Sequence, residues 1–110
     1  MKQDKRSRLE QAGWKLGSAE DFLGLSDAER EYVQLRLALA RGVRQLREHE
    51  ALTQQQLAER IGSSQSRIAK LEAADPSVSA DLAIKALLAL GADRKRVAKI
   101  LAAPVRGRAA

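Results

Sequence analysis

The stretch from Thr53 to Glu72, TQQQLAERIGSSQSRIAKLE, constrains the fold of this chain more than any other. Thr53 followed by Gln56 is a capping box: the Thr hydroxyl accepts from a free helical N–H while the Gln side chain reaches back to the cap. Leu57, Ala58 and Ile61 then form one apolar face. Gly62 supplies the left-handed residue at which a helix stops. Ser64 caps a second helix, whose inward residues are Ile68 and Leu71, and Asp75-Pro76 bars its continuation. A connection as tight as Gly62-Ser63-Ser64 forces the two helices to cross steeply. Ala58 is small where the second helix presses on the first.

The rest of the chain supplies further helices. Ser26-Asp27-Ala28-Glu29 is a second capping box. It opens a helix predicted over 27–49, with apolar residues at Tyr32, Val33, Leu35, Leu37, Leu39, Ala40, Val43 and Leu46. Gly42 weakens the middle of this helix and is a place for a kink. Ser79 caps a helix over about 80–90, with Leu82, Ala86, Leu87 and Leu90 inward and Gly91 as its stop. A last helix, about 94–102, places Val97, Ile100 and Leu101 at i, i+3, i+4 before Pro104 ends it. The expected fold class is therefore all-α, a five-helix domain over 26–103 with an extended first helix. An N-terminal arm, 1–25, precedes it, and a loose basic tail, 104–110, with Arg106 and Arg108, follows. The composition agrees. The only aromatics are Trp14, Phe22 and Tyr32, so the core is aliphatic and small, and there are two prolines, too few to break up five helices.

Charge and missing residue types narrow the chemistry. Twenty Lys and Arg against fourteen Asp and Glu give a net charge of +6, which suits a polyanion such as nucleic acid or an anionic membrane surface. The sequence has no cysteine, which excludes disulfides and thiolate chemistry. His49 is the sole histidine, without the partners that a metal site or a catalytic base requires. The carboxylates are scattered and mostly sit beside basic residues. No enzyme activity, metal or cofactor is expected. The N-terminus leads into no apolar run and no stretch approaches a membrane span, so a cytoplasmic protein without a membrane role is expected.

The outward face of the second short helix follows from its period. With Ile68 and Leu71 inward, Ser66, Ala69, Lys70 and Ala73 point away, and Gln65 and Arg67 flank them. The face is short-chained, polar and basic at its edges. It fits a major groove roughly 12 Å wide, where Gln can pair with adenine and Arg or Lys with guanine. Gln54 stands at a helix N-terminus, whose free N–H groups and dipole favour an anion. An ordinary helical corner with a solvated face has the same periodicity, so spacing alone leaves both readings open.

Residues 37–91 resemble the Xre-type helix-turn-helix of phage repressors and related regulators. The matching residues are Leu52-Thr53-Gln54, Leu57-Ala58, Ile61-Gly62, Ser64, Ile68 and Leu71-Glu72, then a Leu-rich helix closing in Leu90-Gly91. The resemblance implies that the third helix of the fold reads double-stranded operator DNA. Base contacts would fall to Gln65, Ser66, Arg67 and Lys70, and phosphate contacts to Thr53, Gln54 and Ser64. Ser63 departs from the pattern, standing where many members carry an apolar residue, which bears on packing at the turn. A narrower likeness joins GWKLGSAEDFLGLSDAE and SSQSRIAKLEAADPSVSADLAIKALLALGA to antitoxins of the HigA type. It implies a dimeric repressor of its own operon that also neutralises a ribosome-dependent messenger-RNA nuclease toxin. The alternative is a stand-alone regulator of the same style, without a toxin partner.

Two further expectations concern partners. In the arm, Trp14, Phe22 and Leu23 carry large apolar area between glycines (Gly13, Gly17 and Gly24), which is how a segment that folds on binding is built. They are the candidate toxin-binding residues. Val97, Ile100 and Leu101 exceed what a lone terminal helix must bury, so they are the candidate homodimer interface.

Overall fold

The computed structural model describes residues 24–105, and these contain five helices and no strand. The helices are α1 (Asp27–His49), α2 (Gln54–Ile61), α3 (Gln65–Glu72), α4 (Ala80–Ala89) and α5 (Arg94–Ala102). The all-α, five-helix expectation is met. The arm residues Trp14, Phe22 and Leu23, and Arg106 and Arg108 of the tail, lie outside the described residues.

Every helix starts at a side-chain cap. Ser26 and Thr53 form full capping boxes with Glu29 and Gln56. Ser64, Ser79 and Asp93 accept from the backbone N–H of Arg67, Leu82 and Arg96. Each such bond satisfies one of the orphan donors of a first turn and contributes about 1 kcal/mol. The stops share one device as well. Ala51, Gly62, Ala74 and Gly91 all have positive φ. After each, the next N–H reaches back five residues: Leu52 to the carbonyl of Arg47, Ser63 to Ala58, Asp75 to Lys70 and Ala92 to Leu87. Gly62 and Gly91 are glycine stops as expected. The end of α3 corrects the sequence reading, because Ala74 turns the chain out of the helix before Pro76 is reached.

The core is the shared interior of α1 to α4. Val43, Leu57, Ile68 and Leu87 are its largest fully buried side chains, with Leu39, Leu46, Ala58, Leu71, Ala83 and Ala86 around them. α2 and α3 pack on each other, α1 lies against both α3 and α4, and α2 also touches α4. Burying such aliphatic side chains contributes roughly 1.5–3 kcal/mol each.

α1 runs through Gly42 without a break in helical structure. The glycine has a packing role. A Cβ built on it would stand 2.7 Å from Cγ2 of Ile100, so its hydrogen is what lets α5 lie against α1. Val97, Ile100 and Leu101 are partly buried against the domain's own core. The apolar surplus that suggested a dimer interface there is thus taken up in part within the chain, because α5 folds back on α1. Val105 continues this return, its N–H donating to Oε1 of Gln34 at 3.3 Å, so the first residues expected to be loose tail rest on α1.

Candidate nucleic-acid interface

The short length of α2 and α3, eight residues each, leaves their termini close together and exposed on one side. Ile68 and Leu71 are buried, which turns Gln65, Ser66, Arg67 and Lys70 to the surface. All four expected base-reading residues are exposed on α3. Ala69, expected to face outward, is half-buried. The expected phosphate-contact residues lie beside this face. Thr53 and Ser64 are exposed and Gln54 is half-buried. The Thr53 and Ser64 oxygens already accept the N–H of Gln56 and Arg67, which leaves each hydroxyl proton free to donate. The N–H groups of Gln54 and Gln55, at the first turn of α2, have no intrahelical acceptor, and such groups favour an anion.

Behind the face lies a chain of polar contacts that local spacing did not reveal. Arg47, near the end of α1, makes a two-pronged contact with Glu72, the last residue of α3. Nε donates to Oε2 at 2.6 Å and Nη2 to Oε1 at 3.0 Å. The two side chains are only 13% and 5% exposed. The Glu72 carboxylate accepting from the guanidinium raises the Arg47 pKa above its ordinary value, against the opposing effect of burial. Arg47 also donates to the carbonyl of Leu52, in the turn ahead of α2. Gln54 Nε2 donates to Glu72 Oε1 at 3.0 Å, and Gln65 Nε2 donates to Gln54 Oε1 at 2.7 Å. Gln54 and Gln65, read from the sequence as a phosphate residue and a base residue, are therefore one hydrogen-bonded unit. Arg47 and Glu72 are 25 positions apart, so no helical period could pair them.

A second Arg fixes the loop that leaves the same end of α3. Arg36 Nη2 donates to the carbonyls of Asp75 and Val78, at 2.9 and 2.7 Å, and holds the α3–α4 loop on α1. Within that loop the Asp75 carboxylate accepts the Ser77 N–H at 2.8 Å. That backbone hydrogen bond is the main cause holding the Asp75 carboxyl below its usual range, with burial opposing it. Ser63, at the α2–α3 turn, has its Oγ buried with no hydrogen-bond partner among the described residues. Its departure from the apolar pattern at the turn thus leaves a polar atom unsatisfied.

Among the described residues no cluster of three or more His, Asp or Glu could hold a metal. No helix of the described residues is long and apolar enough to cross a membrane. The basic residues Arg94, Lys95, Arg96 and Lys99 are exposed on α5, which packs on α1 and not chiefly on α2 or α3.

Two short helices crossing at a glycine turn, the second with its polar face outward and its C-terminal end and following loop anchored by Arg47 and Arg36, define a helix-turn-helix domain. The family model described as Helix-turn-helix matches residues 43–96, from the second half of α1 to the first turn of α5, and supports membership of the Xre-like group. The match supports a DNA-binding transcriptional regulator. No curated protein and no solved structure matches the chain.

Proposed function

We propose that the chain represses transcription by laying α3 in the major groove of an operator. Gln65, Ser66, Arg67 and Lys70 then meet base edges, and Thr53, Gln54 and Ser64 hold the flanking phosphates. The observation that carries this reading is Gln65, exposed at the start of α3 yet held from behind by Gln54. A base-reading side chain fixed before it binds loses less rotamer freedom on contact. Selection of duplexes from a random library, followed by gel shift, tests it. Gln65→Ala should cost roughly 1–3 kcal/mol on the selected site and little on random DNA. Equal losses on both would sink the assignment. Binding should weaken steeply with salt as counterions return to the phosphates.

We further propose that the regulator is the antitoxin of a toxin–antitoxin pair, acting in the cytoplasm on its own operon and on a messenger-RNA nuclease. The support is the HigA-type resemblance and the extra length ahead of the matched domain. On that part of α1, Tyr32 and Leu35 are 47% and 41% exposed, an apolar surface one turn long. Trp14, Phe22 and Leu23 would extend it to the toxin. The full-length chain with Trp14, Phe22 and Leu23 all changed to Ala should bind DNA normally and fail to rescue cells expressing the toxin. Full rescue would remove those residues from the role. The chain is further proposed to work as a homodimer, since two recognition helices roughly 34 Å apart read a palindrome. Val97, Ile100 and Leu101 can serve that contact only through the edges that their own core leaves open. Sedimentation at tens of micromolar with an operator duplex checks the stoichiometry, and one chain per palindrome would refute the dimer.

A further inference from the structure

We propose that Glu72, which faces no DNA, decides which base Gln65 prefers by fixing the polarity of two side-chain amides in series. The inference rests on the reading of Gln65 as a base-contacting residue. Its logic is chemical. A carboxylate only accepts hydrogen bonds, and Glu72 takes two of them from the Arg47 guanidinium. Gln54 must therefore turn its NH2 toward Glu72, which leaves its oxygen for Gln65. Gln65 must in turn spend one N–H on that oxygen. What it presents to the groove is then Oε1, an acceptor, beside the second N–H, a donor. That pair matches adenine, which offers the N6 donor and the N7 acceptor. Guanine offers two acceptors, O6 and N7, and meets Oε1 with repulsion. A flipped Gln65, with its NH2 outward, would suit guanine instead. Without an acceptor-only group at the root, nothing in the geometry forbids the flip. The second N–H of Gln54 stays available for a phosphate, so the relay and the backbone contact are compatible.

Glu72 is in this sense a positioning residue, and it has a readout that a merely structural role would not move: the ratio of adenine to guanine at one position. That position is located on the full-length protein as the base pair whose preference Gln65→Ala erases. Binding is then measured to duplexes differing only there. Two variants cut the relay. Arg47→Met with Glu72→Gln replaces the ion pair by groups that carry no charge and lets residue 72 present either an oxygen or an NH2. Gln54→Met keeps the ion pair and removes the middle link, so it decides the matter if the first variant fails to fold by far-UV circular dichroism. The expected result is an adenine preference in the wild-type protein that falls about tenfold in either folded variant, beyond any uniform loss of affinity. If the ratio survives Gln54→Met while Gln65→Ala abolishes it, the relay is overturned and the base contact stands. If Gln65→Ala leaves base preference untouched at every position, the relay falls together with the reading beneath it.

Discussion

Gly42→Ala pits two opposite effects against each other at one atom. In the interior of a helix Ala is better than Gly by about 1 kcal/mol, and Gly42 sits in the middle of the 23-residue α1. Against this, the new methyl would lie 2.7 Å from Cγ2 and 3.3 Å from Cδ1 of Ile100. Cγ2 is attached to the branched Cβ of Ile100, so it moves aside only by a change of the stiff χ1 rotamer or a shift of α5. Overpacking of this kind costs about 1–3 kcal/mol. The net expectation is a loss of about 1 kcal/mol, or roughly 4–8 °C in melting temperature for a domain of this size. Ile100→Ala removes both opposing carbons. In that background the same Gly42→Ala change should gain about 1 kcal/mol, a reversal of sign and a coupling near 2 kcal/mol. Urea unfolding of the four proteins followed by far-UV circular dichroism measures all the terms. A gain in stability from Gly42→Ala in the wild-type background would refute the close approach of α5 to α1.

Four other substitutions probe the turns. Ala51 is exposed at φ 58, so Ala51→Gly relieves left-handed strain and should stabilise by about 0.5–1 kcal/mol, whereas Ala74→Gly, at a buried site, loses a packed methyl and should be near neutral; thermal melts separate them. Ser63→Ala removes the unsatisfied buried hydroxyl and should gain about 1 kcal/mol in denaturant unfolding, and a loss would mean that Oγ has a partner in solution. The Asp75 carboxyl has a folded pKa below its unfolded one, so its stabilisation is present above the ordinary carboxylate range and disappears as pH falls below about 4. Asp75→Asn should therefore lower stability at neutral pH and flatten the acid limb of the stability profile, and an unchanged limb would deny the effect.

What could be read in the sequence is what acts locally. The caps Ser26, Thr53, Ser64 and Ser79 and the glycine stops at 62 and 91 obey rules that span three or four residues, and the structure has each of them in place. Ala51 and Ala74 do the same work as those glycines but carry no mark, since Ala is the strongest helix former. The purpose of Gly42 was hidden because its partner is on another helix. The candidate site divides in the same way. Exposure of Gln65, Ser66, Arg67 and Lys70 follows from the period of α3. The anchoring by Arg36 and Arg47 does not, for both join residues brought together only by the tertiary fold.

The wholly aliphatic core makes this domain nearly invisible to ultraviolet optics. None of its buried residues is aromatic, and Tyr32, the one Phe, Tyr or Trp among the described residues, lies about half exposed on α1 with the Arg36 guanidinium 6.0 Å from its centre. Trp14 and Phe22 belong to the segment outside the described residues. Intrinsic fluorescence therefore comes from Trp14 and from Tyr32 on α1, and none of it from a described core residue. A tryptophan signal therefore originates at Trp14 alone, with no described core residue adding an indole to it.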